Sequence, residues 1–265
     1  MELAVKTAET EIKRPIYTLG PLIHNPQAVE DLQRRGVEVL PEQAVDDRVA
    51  GRTVILRAHG VSPALRSRLE SLGARLADAT CPRVLASQRR ARRFYEAGYS
   101  VVLVGDRNHG EIVAVTGCAP GCFVVGSPEE ARALELSEPV GVLAQTTVSE
   151  DEYEAVCEVL RSRYSRLSIV DSICPATRER QESLARLAAR ADAVIVVGGR
   201  SSANTARLFR AARSLGKPSW HIETAAELPP EVFDFSVVGL TAGASTPDSI
   251  ITEVEDALMR AGNRE

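Results

Sequence analysis

Two short loops, Thr80-Cys81-Pro82 and Ile173-Cys174-Pro175, lie 93 residues apart, from 81 to 174. The apolar runs that follow them, Val101–Gly105 and Val194–Gly198, keep the same interval. A repeat at fixed spacing constrains a fold more than any composition does, because each copy must be one supersecondary unit. Cys-Pro loops at equivalent places in two copies suggest thiolates converging on a shared point, most naturally a metal centre.

Short β-branched runs alternate with helix-forming segments. Strands are expected at Pro15–Leu19, Thr53–Arg57, Val101–Val104, Val140–Ala144, Ala193–Val197 and Ser236–Leu240. Helices are expected at Pro63–Leu72, Arg83–Ala97, Glu150–Ser165, Arg180–Ala191, Thr205–Leu215 and Pro247–Ala261. This alternation indicates an α/β fold with mainly parallel sheets.

Two kinds of loop recur three times each. One is small and polar, with Ser or Thr where the next helix would be capped: Ala58–Ser62, Gln145–Ser149 and Ala242–Thr246. The other opens with Gly after an apolar strand and carries His, Ser or Asn near its end: Gly20–Asn25, Gly105–Glu111 and Gly198–Asn204. The repeats divide the chain into three α/β units, 1–81, 82–171 and 172–265. Ligands of α/β sheets bind at the carboxyl ends of strands, so three such ends would surround one central polar pocket.

The Cys loop occurs only twice. Gly20 aligns with Gly105 at an offset of 85, which puts a third Cys about four residues ahead of Met1. The opening Met1–Ile12 has helix-forming composition with nothing before it to cap the helix. The first unit is therefore expected to lack its first strand and first Cys loop.

Composition removes several function classes. A net charge of −4 offers no basic field for nucleic acid. The arginines of Arg89–Arg93 and Arg178–Arg190 read as solvated helix faces. No apolar run approaches the roughly 18–20 residues of a membrane helix. Five Cys, an odd number in a chain long enough for an ordinary core, argue against a disulfide scaffold and for a reducing cytoplasm.

His24, His59 and His109 sit on three of the six loops, in a chain with four His. With Ser202, Asn204 and Ser245 they form a set of hydrogen-bond donors at helix N-termini, which suits phosphate or diphosphate. His221 reads as structural. Glu111, two residues after His109, would hold its proton more readily in a desolvated anion pocket and so act as a general acid. Thr146 would bind a substrate oxygen or cap a helix. Two Cys fall short of the three or four thiolates of a soft-metal centre, and a zinc site of Cys81, Cys174 and two His is open by ligand type. Cys118 and Cys122 read as unrelated thiols and Cys157 as packing.

Leu22–Asn25, Ala58–Val61, Asp78–Pro82, His109–Glu111, Gln145–Thr147, Ile173-Cys174, Ser202–Asn204 and Thr241–Ser245 fall in an order and spacing that resembles the 4-hydroxy-3-methylbut-2-enyl diphosphate reductase family. The resemblance covers nearly the whole chain. It implies a trefoil of three pseudo-symmetric α/β units around an iron–sulfur cluster of the [4Fe-4S] type, held by one Cys from each unit. It implies reductive dehydroxylation of the allylic diphosphate to isopentenyl and dimethylallyl diphosphate, the terminal step of the non-mevalonate isoprenoid pathway. By match, Cys81 and Cys174 would be cluster ligands. His24, His59, His109, Ser202, Asn204 and Ser245 would hold the diphosphate. Glu111 would deliver protons, and Thr146 would sit near the substrate hydroxyl. An electron donor such as ferredoxin or flavodoxin is implied as partner.

Two departures stand out. The family's first Cys, in a Gly-Phe-Cys type motif, has no counterpart, so the sequence as given is expected to hold a full cluster poorly. Ala203 stands where the family often has Ser, at a net cost of about 0.5–1.5 kcal/mol for one hydrogen bond. The alternatives are a divergent diphosphate-binding protein without a cluster and a zinc-dependent hydrolase.

Overall fold

The computed structural model describes residues 2–11, 13–20, 22, 26–244 and 246–262. The first stretch runs through α1 (Glu2–Thr10), β1 (Ile16–Leu19), α2 (Pro26–Arg34), β2 (Val37–Leu40), β3 (Thr53–Leu56), α3 (Pro63–Ser71) and β4 (Arg75–Asp78). Its four strands form a parallel sheet in the order β2-β1-β3-β4. Next come α4 (Pro82–Glu96), β5 (Ser100–Val104), α5 (Gly110–Thr116), β6 (Phe123–Val125), α6 (Pro128–Arg132), β7 (Val140–Ala144), α7 (Glu150–Arg163) and β8 (Leu167–Ile169). They build a second parallel sheet, β6-β5-β7-β8. The last stretch, α8 (Pro175–Arg190), β9 (Ala193–Val197), α9 (Ala203–Ser214), β10 (Ser219–Ile222), β11 (Val238–Ala242) and α10 (Asp248–Gly262), carries a third sheet, β10-β9-β11, again parallel.

The chain is thus three parallel-sheet α/β units, as the alternation of strands and helices predicts. By compactness it forms two bodies, Met1–Cys174 with two sheets and Pro175–Glu265 with one.

The central strands read Ile-Tyr-Thr-Leu, Thr-Val-Ile-Leu, Val-Gly-Val-Leu-Ala and Ala-Val-Ile-Val-Val, and β1, β3, β7 and β9 are buried along their whole length. Helices cover both faces of such sheets, so the strands show apolar runs rather than alternation. In the first body, α7 lays Tyr153, Val156, Cys157 and Leu160 on Val102, Val104 and Val142. On the opposite face α4 packs Ala91 and Phe94 against Val101, Leu103 and Leu143. In the second body, Leu184 of α8 and Leu208 of α9 cover Val194 and Val196. Ile250 and Val254 of α10 cover Ile195 and Val197 on the other side.

The expected boundaries shift by at most two residues, except one that shifts by five. The helix expected from Arg180 begins at Pro175, directly after Cys174, because proline is at home in a first helical turn where its missing N–H has no partner to lose. The strand expected at Ser236–Leu240 runs Val238–Ala242. Five further short strands, β2, β4, β6, β8 and β10, have no counterpart among the expected elements. All of them are sheet edges.

One repeated hydrogen bond fixes the loops that carry the chemistry. The N–H groups of Gly20, Gly105 and Gly198 donate to the carbonyls of Leu40, Val125 and Ile222 at 2.9, 2.8 and 2.9 Å. In each repeat, the first residue past a central strand is tied to the last residue of the neighbouring edge strand.

Candidate active site

The loop after β5 delivers His109 and Glu111. His109 is the N-cap of α5, its ring Nδ1 accepting the Glu111 backbone N–H at 3.2 Å. That role uses the acceptor nitrogen of a neutral imidazole and leaves Nε2 as the protonated one. Glu111, in the first turn of α5, is only 2 % exposed. Its carboxylate meets the loop after β7: the Thr146 backbone N–H donates to Oε1 at 2.7 Å, and the Thr146 hydroxyl lies 2.7 Å from Oε2. Helix capping in that loop falls instead to Ser149, which forms a reciprocal capping box with Glu152. Thr146 is thus not the cap of α7, and its partner is Glu111.

Gln145, also buried, locks the same two loops together. Its Oε1 accepts the Asp106 N–H at 3.0 Å and its Nε2 donates to the Thr147 hydroxyl at 2.9 Å. Its place in the Gln145-Thr-Thr147 motif was the available signal for this role.

The loop after β3 brings His59 against His109, ring centroids 4.7 Å apart in an edge arrangement. Two residues earlier, Arg57 makes an ion pair with Glu42 at 2.7 Å, while its Nε is buried with no hydrogen-bond partner among the described residues. The guanidinium fills the space that Cβ atoms at Gly20 and Gly110 would need: each would lie 2.8 Å from one of its terminal nitrogens. Gly20 also has φ +70°, which favours glycine by itself; Gly110 is glycine for space alone. Sequence reasoning missed Arg57, one arginine among many. The glycines flanking the His-bearing loops were the only hint.

The two Cys-Pro loops repeat in detail. Cys81 N–H donates to Ala58 O at 3.0 Å, and Cys174 N–H donates to Thr146 O at 2.9 Å. Each Cys is half-buried and stands directly before a helix that opens with Pro, α4 and α8 respectively. The other thiols differ. Burial raises the pKa of Cys118, and it pushes Cys122 and Cys157 up to about 11. All five cysteines are free. Among the described residues, no three His, Cys, Asp or Glu side chains group as metal ligands. The donor chemistry of Cys81 and Cys174 fits two of the thiolate ligands of an iron–sulfur cluster.

In the second body, Ser202 caps α9, its hydroxyl accepting the Thr205 N–H at 3.3 Å. Asn204 follows in the first turn, and its Nδ2 is buried with no hydrogen-bond partner among the described residues. His221 accepts its structural reading: Nε2 lies 2.8 Å from Gly198 O and the ring packs on Phe209. His24 and Ser245 lie outside the described residues.

The sequence model of the LytB protein family matches residues 1–259. The 4-hydroxy-3-methylbut-2-enyl diphosphate reductase of Treponema denticola is 45 % identical over 266 residues, spanning 97 % of this chain and 92 % of that one. The enzyme of the same name from Aquifex aeolicus is 40 % identical over 264 residues, spanning 97 % and 90 %. Among solved structures, the E-1-hydroxy-2-methyl-but-2-enyl-4-diphosphate reductase of Plasmodium falciparum aligns with a TM-score of 0.92 at 26 % identity, over 97 % of this chain and 82 % of that one. A structure titled as the terminal enzyme of the non-mevalonate pathway aligns at 0.66 with 38 % identity, over 98 % and 94 %. With its three parallel sheets, its paired Cys-Pro loops and matches of this extent, the chain belongs to the LytB family, the 4-hydroxy-3-methylbut-2-enyl diphosphate reductases.

Proposed function

We propose that the chain reduces 4-hydroxy-3-methylbut-2-enyl diphosphate to isopentenyl and dimethylallyl diphosphate. The observation that carries this reading is the buried Glu111 carboxylate, held at both oxygens by Thr146 beside the His59–His109 pair. A carboxyl group at the end of parallel strands, next to neutral hydrogen-bond donors, suits proton delivery to a leaving hydroxyl.

Overall, the allylic alcohol takes up two electrons and two protons, the C–O bond breaks and water leaves. A bound [4Fe-4S] cluster would supply the redox step, and Cys81 and Cys174 are the residues of this chain that would hold it. Glu111 would protonate the departing hydroxyl from Oε2, with Thr146 Oγ1 positioning that oxygen, and would supply the second proton to the allylic carbon. His59 and His109 would donate hydrogen bonds to the diphosphate, His109 through Nε2. His24 and Ser245 carry the same role by resemblance, as do Ser202 and Asn204. The buried Nδ2 of Asn204, without a partner among the described residues, supports a ligand there. An electron-carrying protein of the ferredoxin or flavodoxin kind would be the donor. The segments 1–81, 82–171 and 172–265 would act as three copies of one unit. Five free thiols support residence in a reducing cytoplasm. Among the described residues, no helix is long and apolar enough to cross a membrane.

The test is anaerobic reconstitution with iron and sulfide, followed by incubation with the allylic diphosphate and reduced methyl viologen. Formation of both five-carbon diphosphates is expected. A preparation with a full complement of iron that forms neither product would overturn the reading.

A further inference from the structure

Helix α4 carries five arginines, Arg83, Arg89, Arg90, Arg92 and Arg93. Elsewhere several exposed arginines have acidic partners, Arg48 with Asp46, Arg107 with Glu130, Arg161 with Glu154 and Arg200 with Glu227, while Arg166, Arg190 and Arg213 are scattered singly. On α4, Arg83, Arg89, Arg90 and Arg93 are exposed and make no ion pair with any described residue. The buried side of the helix is Val84, Ser87, Ala91 and Phe94, so the arginines share the remaining, solvent-facing arc. Glu96 is the only acid in the helix. In a chain of net charge −4, this is a concentrated cationic strip.

A cavity of about 170 Å³ borders the strip, lined by Arg66, Thr80, Leu85, Gln88, Arg89 and Arg92 among others. It is smaller than the roughly 300–1,000 Å³ of small-molecule sites, and Val61, Pro63 and Leu85 line it beside Arg89, Arg92 and an Arg66 already paired with Asp78. The strip also starts at a chemically relevant place. Cys81 is the N-cap of α4, and Arg93 lies about 18 Å further along the helix axis at 1.5 Å per residue. A small protein seated on α4 would therefore also reach the Cys81 loop.

We propose that the arginine face of α4, with the notch beside it, is the docking surface for an acidic one-electron carrier protein that reduces the enzyme. This inference rests on the reductase reading above. Two reduced carriers would dock in turn, each losing one electron. The two electrons and two protons convert the C–OH bond to C–H and release water. Charge complementarity selects the occupant: a net acidic chain repels an acidic partner generally, so a local cationic strip both captures and orients it.

The test measures binding of a purified, reduced acidic flavodoxin to the native chain and to an R89E/R90E/R93E variant, at low and at physiological salt, without turnover. Viologen-driven activity of both proteins is assayed in parallel. Native binding at low salt is expected to weaken with added salt, and to fall about tenfold or more in the variant. Viologen-driven activity should be equal in the two proteins. Equal flavodoxin binding by native and variant would overturn the docking surface. Equally tight native binding of an acidic protein without a redox group would do the same. Absence of viologen-driven turnover by the native chain would count against the reductase reading itself, while the binding comparison would still report on the surface.

Discussion

Thr146 engages both carboxylate oxygens of Glu111, its backbone N–H and its hydroxyl each at 2.7 Å. A side chain from one strand end thereby holds a functional group from the neighbouring strand end, in a place with almost no solvent. Thr146→Val should leave Oε2 without this partner and lower stability by about 1–3 kcal/mol, while Thr146→Ser should restore most of it. Glu111→Gln should fold with a Tm close to that of the native protein but lose about 10²–10⁴ in kcat, with KM changed much less. Anaerobic steady-state kinetics alongside thermal melts check both. Equal kcat in Glu111→Gln and native protein would remove Glu111 from proton delivery.

Gly110→Ala should act through Arg57. The added Cβ would come within 2.8 Å of a guanidinium nitrogen, and displacing a half-buried, ion-paired arginine should cost about 1–3 kcal/mol. Removing the arginine first removes the clash, so Arg57→Ala and Gly110→Ala should be non-additive by about 1 kcal/mol or more. Denaturant melts of the two single variants and the double variant give the coupling. The diphosphate KM of Gly110→Ala should rise, because Gly110 directly follows His109 and the added Cβ would also lie 3.5 Å from the His59 Cβ.

Acid should weaken the first unit through Glu11. Its carboxylate accepts the Thr53 hydroxyl at 2.5 Å, the Lys13 N–H at 3.1 Å and an Arg75 N–H at 2.8 Å. The Thr53 bond leads in lowering its pKa to about 2, from an ordinary 4.5. A carboxylate with a depressed folded pKa contributes its stability above the unfolded pKa and loses it as pH falls through the folded one. The Tm gap between native protein and Glu11→Gln should thus be full at pH 6 and shrink from about pH 4.5 towards pH 2. A gap that stays constant over that range would assign the effect to packing instead of charge.

The thiols should sort themselves chemically. Burial raises Cys118, Cys122 and Cys157, the latter two to about 11, so their thiolate fractions at pH 8 are small. Iodoacetamide at pH 8 should label Cys81 and Cys174 well before the other three, as read by peptide mass spectrometry. Reconstitution with iron and sulfide should protect those same two positions. Labelling of Cys81 and Cys174 that reconstitution leaves unchanged would argue against both as ligands.

What the sequence discloses follows strand position. The central strands announce themselves as apolar runs because helices bury both of their faces: Val140–Ala144 and Ala193–Val197 were expected with these bounds and are found with them. The edge strands Val37–Leu40, Arg75–Asp78 and Leu167–Ile169 are three or four residues long, and apart from the buried Val37 and Leu40 their side chains are exposed or half-exposed. Their pairing comes from the neighbour, and nothing in their own pattern carries it. The site divides in the same way. His109, Glu111 and Thr146 stand on repeated loops, and the repeat made them visible. Arg57 draws its meaning from two glycines, 37 residues before it and 53 after it, brought onto its guanidinium by the fold.

The Gly20, Gly105 and Gly198 amides are tied to edge strands, whereas the residues just before them sit inside buried central strands. Edge strands of three or four residues open far more often than the cores they flank. Hydrogen exchange at these three amides should therefore run ahead of exchange at Leu19, Val104 and Val197. The three repeated loops hang on the part of each sheet that breathes most easily, so they can yield to an incoming molecule while the barrier to global unfolding stays untouched.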